Sequence, residues 1–327
     1  MRSFILIFFF FSSVLSSFST GNHQLKMPDY AEKINQIVYR LSCNANDRQA
    51  AKKLIKTYSN ALMEYQQEIE RLQVEPDSLK WSKTYDLMDE LNELSNEILY
   101  NSAASRVICD PKVYTGELVE VKQKAVQELY DAGVRSLQTG TKREAKEAYF
   151  YFIKADQLSA AFKDVNQKIP EAKNKATINI VVEKAGAYAN NKNLYAVRFY
   201  ETILSKLQSE FLYDRFVNIY SFTEAKQRKI NPVDWSVNIS FIDIDLEKAA
   251  SIDNSQFIYV NGVAEIKIFS AAENSDILNK RIPNQYIWKS YGSNDDSGWQ
   301  TLFDSFSLSM TDQVSGLLSE FIKQSKY

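Results

Sequence analysis

Trp235-Ser236-Val237-Asn238-Ile239-Ser240-Phe241-Ile242-Asp243-Ile244-Asp245-Leu246 carries the cleanest alternation in the chain. Trp235, Val237, Ile239 and Phe241 fall on one face, and Ser236, Asn238 and Ser240 on the other. A period of two marks a half-buried strand. At Phe241-Ile242 the parity flips, and Ile242, Ile244 and Leu246 become the apolar set. A slip of one residue turns every side chain to the wrong face, so a β-bulge is expected at the flip.

Working outward, residues 176–182 and 215–222 are rich in β-branched and aromatic side chains and predict two more strands. Between them, residues 194–211 place Phe199, Ile203, Leu204, Leu207 and Phe211 on one helical face. Residues 256–269 read as strand, with Asn261-Gly262 inside as a hairpin signal; one bulged strand is the alternative. Residues 285–291 predict another strand. A C-terminal helix follows, with Phe306, Leu308, Met310, Val314 and Leu318 expected to face inward. The order is β-α-β-β-β-β-α. Short connections between consecutive strands imply an antiparallel sheet with two helices on one face.

The first half has helical spacing. Leu54, Ile55, Tyr58, Leu62, Tyr65, Ile69 and Leu72 form one stripe, and Trp81, Tyr85, Met88, Leu91, Leu94 and Ile98 a second. A break at Asp110-Pro111 precedes a third helix, over 117–137. Gln138-Thr139-Gly140-Thr141 is then a tight turn, and Thr141-Lys142-Arg143-Glu144 a capping box. The helix that follows carries Ala145, Ala148, Tyr149, Phe152 and Ile153 and is expected to end before Ile169-Pro170. Tyr149-Phe150-Tyr151-Phe152 spread around it, so some of these rings pack inside and others meet a neighbouring element.

Gly133, Gly140, Ala145 and Tyr149 stand at the small-residue, turn-glycine, small-residue and aromatic positions of a tetratricopeptide repeat, which this hairpin resembles over about 34 residues. The chain departs from the repeat at Leu129, Ser136 and Phe152, where the repeat has Trp, Tyr and Ala. The resemblance implies close-packed antiparallel helices that offer a surface to a protein partner; a plain up-down bundle accounts for the same spacing. In element order alone, the second half is similar to small α+β domains of bacterial outer-membrane assembly proteins, such as the curli-secretion and lipopolysaccharide-transport lipoproteins. Their lipidation cysteine has no counterpart here.

At the N-terminus, Met1-Arg2-Ser3 precedes the run from Phe4 to Phe11 and a serine-rich stretch. This is the order of a secretory signal peptide, and cleavage after Ser16, Ser17 or Ser19 fits equally. The run is shorter than the roughly 20 apolar residues of a membrane span, and no later segment is long enough for one; an uncleaved anchor is the other reading. Residues 1–20 are therefore a signal, 21–170 a helical domain, and 171–327 an α+β domain. Export places the chain in a periplasm or at the outer-membrane periphery, or outside a host that has no periplasm.

Of 327 residues, 39 are basic and 41 acidic, a net charge of −2. That balance offers no footprint for nucleic acid. Abundant Ile, Asn, Lys, Tyr and Phe suit an AT-rich genome, as in many Bacteroidota. Cys43 and Cys109 are the only cysteines. In an oxidising compartment they are a disulfide candidate, whose loop closure would stabilise by about 4 kcal/mol; two unpaired thiols are the alternative.

Catalytic chemistry is sparse. His23 is the single histidine, which argues against triads and zinc sites. No metal, cofactor or catalytic residue is assigned. Asp243 and Asp245, two apart on the bulged strand, share a face. They are candidates for a calcium pair or a glycosidase acid and nucleophile, although a solvated strand face explains them as well. The leading expectation is a non-enzymatic exported scaffold or adaptor of the cell envelope that binds a protein partner through its helical half. A carboxylate-dependent hydrolase of cell-wall glycans and a small-ligand carrier are the alternatives.

Overall fold

A computed structural model of the chain describes residues 29–74, 76–183, 193–248, 255–291 and 296–325. The export signal and His23 lie outside the described residues. Helices come first: α1 (Tyr30–Cys43), α2 (Arg48–Val74), α3 (Lys80–Leu99), α4 (Ala104–Val107), α5 (Gly116–Gln138), α6 (Lys142–Leu158) and α7 (Val165–Ala176). Then follow β1 (Ile178–Val182), α8 (Asn193–Glu210), β2 (Val217–Ser221), α9 (Phe222–Arg228), β3 (Trp235–Lys248), β4 (Ser255–Ser270), β5 (Ser275–Tyr291) and α10 (Asp296–Ser325). The architecture is α+β, as the residue periodicity implies.

The chain forms two compact units that divide between Ala125 and Val126, within α5. The sequence reading divides it at residue 170 instead. Pro170, expected to stop a helix, sits inside α7. A proline inside a helix forfeits one backbone bond and crowds the carbonyl four residues back, but Val165, Ala172 and Ala176 bury the same helix's inner face and offset that cost. Hairpin α6–α7 belongs to the sheet-bearing unit for a physical reason. The Lys142 ammonium reaches Asp234 at 3.1 Å and donates to the Thr177 carbonyl at 2.5 Å. Asp234 also accepts from the Asn179 backbone N–H at 2.8 Å, and Tyr149 packs edge-on against Phe216. Charge and aromatic contacts thus tie α6 to β1 and to the entries of β2 and β3.

The sheet has strand order β2-β1-β3-β4-β5. The expected antiparallel arrangement holds for β3–β4 and β4–β5. It fails at β1, which pairs parallel with both β2 and β3. The reason is connectivity: α8 and α9 intervene between these strands, and a helical crossover returns the chain in the same direction. The anticipated bulge is present, as a register shift between Phe241 and Asp243. Asn261-Gly262 makes no turn; β4 runs straight through it, pairing Gly262 with Ile244 on one side and Asn284 on the other. The β4–β5 reversal falls at Ala271–Asn274, where Asn274 takes φ 50°, a left-handed conformation that asparagine tolerates.

Ile178, Ile180 and Val182 of β1, Val237 and Ile239 of β3, and Ile266 and Ile268 of β4 form one core with Phe199, Ile203 and Leu207 of α8. Phe306, Met310, Val314, Leu318 and Ile322 of α10 complete it. Both long helices therefore cover the same sheet face. Leu308, expected inward, is exposed, because the four-residue spacing of the buried set turns it away.

Gly140 ends α5 with φ +84°. A residue with a Cβ pays about 1 kcal/mol or more in that conformation. Gly140→Ala is therefore expected to lower stability by about that amount, read as a drop in thermal midpoint. A midpoint at or above the wild-type value would show that the turn relaxes.

Candidate functional site

In the N-terminal unit, the apolar stripes of α2 and α3 face each other. Leu54, Tyr58, Tyr65 and Ile69 pack with Met88, Leu91, Leu94 and Ile98, while α1 adds Ile34, Ile37 and Leu41. The stripes do not close along their whole length. Between the last turns of α2, the first turns of α3 and the start of α5 lies an open groove of about 570 Å³. Ile69, Leu72, Met88, Tyr114 and Val121 form its floor. Gln66, Glu70, Gln73, Lys80, Glu117, Glu120 and Lys124 form its rim, and Trp81 stands as a half-buried wall.

The floor depends on a strap, residues 109–115, that crosses α3. No helix or strand pairs with it, so side chains satisfy its backbone. Asn92 donates from Nδ2 to the Tyr114 carbonyl at 2.7 Å and accepts the Tyr114 N–H at Oδ1 at 2.6 Å. Ser95 Oγ donates to the Lys112 carbonyl at 2.6 Å, and the Lys112 N–H donates to the Tyr58 hydroxyl at 2.8 Å. Asn92 and Ser95 are buried among apolar neighbours. Both are ordinary polar positions in the sequence; the buried face of α3 also carries Ser82 and Thr84, so polarity alone does not single them out.

Charge on the rim is uneven. Asp77 accepts from the Leu79 N–H at 2.9 Å and pairs with Lys83 at 2.6 Å. Lys112 pairs with Glu117 at 3.6 Å. Lys80 and Lys124 both lie on the Trp81 ring, 5.0 and 4.3 Å from its centroid. Deeper along α3, burial raises the Asp89 carboxyl above its ordinary value; Asp86 adds to this and Lys122 opposes it.

A raised carboxyl pKa means that the folded state holds its proton to higher pH than the unfolded state does, so ionised Asp89 costs stability above that window. Asp89→Asn is therefore expected to melt higher than wild type at pH 7. The difference should vanish below about pH 3.5, where the unfolded aspartate is protonated too. An equal midpoint at pH 7, or a gap that widens in acid, would contradict it.

The structure places the other sequence candidates as follows. Cys43 ends α1 and Cys109 follows α4; both are exposed free thiols, and Cys109 Sγ faces the Arg106 carbonyl at 3.8 Å. Gly133 lies against Phe152: a Cβ there would stand 2.7 Å from the ring. Ala145 is buried in α6, and Tyr149 stacks edge-on with Phe150 and Phe216. Thr141 caps α6 through the Glu144 N–H, as expected. A complete capping box, unanticipated, joins Ser221 and Glu224 at α9. Asp243 and Asp245 pair in register with Val263 and Asn261 just past the bulge; their side chains lie outside the described ones. Among the described residues, no group of three or more His, Cys, Asp or Glu could hold a metal ion. No described helix is long and apolar enough to cross a membrane.

No family model matches the chain, and no curated protein matches it. Solved structures share a distant likeness. A Xanthomonas campestris protein of the DUF330 family is 8% identical, with 45% of this chain and 87% of that one covered and a TM-score of 0.33. A neuraminyllactose-binding hemagglutinin homologue from Helicobacter pylori is 11% identical, covering 46% and 90%, with a TM-score of 0.32. A minor lipoprotein from Acinetobacter baumannii is 8% identical, covering 42% and 93%, with a TM-score of 0.23.

Proposed function

We propose that this chain is an exported, non-enzymatic adaptor of the cell envelope that holds a protein partner in the groove of its helical unit. The observation that carries this is the groove itself, an apolar floor under a tryptophan wall and a charged rim. Apolar floors with a few polar groups at the edge are what binding sites use, and Trp is the residue type most enriched among interface anchors. The basic, apolar and serine-rich order of residues 1–20 supports export. The α+β unit serves as a docking or oligomerisation module. The close approach at Gly133 supports the tetratricopeptide-like packing of the α5–α6 hairpin.

A photo-crosslinking residue at Gln73, on the groove rim, tests this in host cells. It should capture one envelope protein in stoichiometric yield. The capture should be lost with Trp81→Ala and should be missing from the same probe at Tyr39, an exposed position on α1. No capture at Gln73, or the same species from Tyr39, would sink the groove as the binding surface.

A further inference from the structure

We infer that the partner segment lies in the groove with one fixed polarity: a carboxylate end at Trp81, apolar side chains on the floor, and a basic end beyond them. This rests on the adaptor function above and adds the chemistry of its ligand. Chain direction orders the rim. Helix α2 runs from Gln66 to Gln73 toward the Trp81 end, while α3 runs away from it, from Lys80 to Met88; α5 runs from Glu117 to Lys124, again toward it.

The ammonium groups of Lys80 and Lys124 therefore both lie at one end, each over the Trp81 indole. Neither has a carboxylate partner among the described residues, whereas nearby Lys83 and Lys112 do. Two like charges at the end of an apolar floor without an ion-pair partner favour an anion at that end. The indole face holds both cations in place, so the anion meets a prepared site. One helical turn back on α5, and across from it on α2, Glu120 and Glu70 carry the opposite charge, also without ion pairs among the described residues. Glu117, further on, is already neutralised by Lys112. The complement to this order is acidic, then apolar, then basic. It is a pattern that an amphipathic segment provides with charges about one turn apart.

Zero-length coupling with a water-soluble carbodiimide reads this directly, because it joins a lysine to a carboxylate only where the two are in contact. In envelope fractions holding the full chain, the amide should run from Lys80 or Lys124 to an Asp, Glu or C-terminal carboxylate of the protein captured at Gln73. Lys80→Glu with Lys124→Glu should cut the Gln73 capture at least tenfold. Lys80→Gln with Lys124→Gln, which removes charge without adding repulsion, should cut it less. Both variants should stay folded with only a small drop in thermal midpoint, because each loses the cation–π contacts with Trp81 but no ion pair among the described residues. Undiminished Gln73 capture in the charge-reversed protein would overturn the polarity and leave the adaptor function standing. Capture at Gln73 with no amide to Lys80 or Lys124 would overturn it too. Failure of the wild-type Gln73 capture would remove both.

Discussion

Asn92→Ala is expected to unfold about 3 kcal/mol more easily than wild type, the sum of two buried backbone groups left unpaired at roughly 1–3 kcal/mol each. The Tyr114 N–H and carbonyl both bond to this one amide, at 2.6 and 2.7 Å. No strand or helix can replace it, and the buried site keeps water from substituting. Asn92→Asp separates the two bonds. A carboxylate still accepts the Tyr114 N–H but faces the Tyr114 carbonyl with a second acceptor, so this variant should also be unstable at pH 7. It should recover in acid, where a protonated carboxyl donates. Urea unfolding should show the loss as a lower midpoint at unchanged slope. Tyr114 is part of the groove floor, so Asn92→Ala should weaken partner capture at Gln73 as well. A shift below about 1 kcal/mol would mean that the strap relaxes onto other partners.

Phe152→Ala should cost about 4 kcal/mol, in the range for deleting a fully buried phenyl ring. Phe152 is inaccessible to solvent and meets Tyr130 edge-on at 5.8 Å. Tyr130 is itself anchored by a hydrogen bond from its hydroxyl to Asp164. The ring therefore cannot move away from Gly133. On the wild-type background Gly133→Ala should destabilise by about 1–2 kcal/mol, overpacking outweighing its better helix propensity. On the Phe152→Ala background the clash is gone, and Gly133→Ala should stabilise by up to about 1 kcal/mol. A double-mutant cycle reads that change of sign as a coupling energy. If Gly133→Ala has the same effect on both backgrounds, the close approach is not what holds glycine at that position.

Local pattern carries much of the fold. The alternation from Trp235 to Phe241 and its reversal at Ile242 are enough to place both a strand and its bulge, because side-chain parity admits one burial register. The three- and four-residue spacing of Tyr58, Tyr65, Met88 and Leu91 likewise identifies the faces that make the helical core. The groove is less legible. Trp81 looks like one more stripe residue, and nothing local tells that α5 approaches α2 and α3 while leaving a gap. Asn92 and Ser95 are silent for the same reason: their partners lie 22 and 17 positions away along the chain. Asn261-Gly262 misleads because its turn preference is worth little against ladders formed on both sides of β4.

By itself the sequence determined the helical first half, the sheet-bearing second half, the bulge and the two long helices on one sheet face. All of these follow from burial periodicity within a single element, a local property. The parallel pairing of β1, the membership of α6 and α7 in the sheet unit and the groove at Trp81 were decided only by tertiary structure. Each depends on which distant surfaces meet. That is settled by packing and by the pairing of charges and backbone groups across the chain, none of which has a period to read.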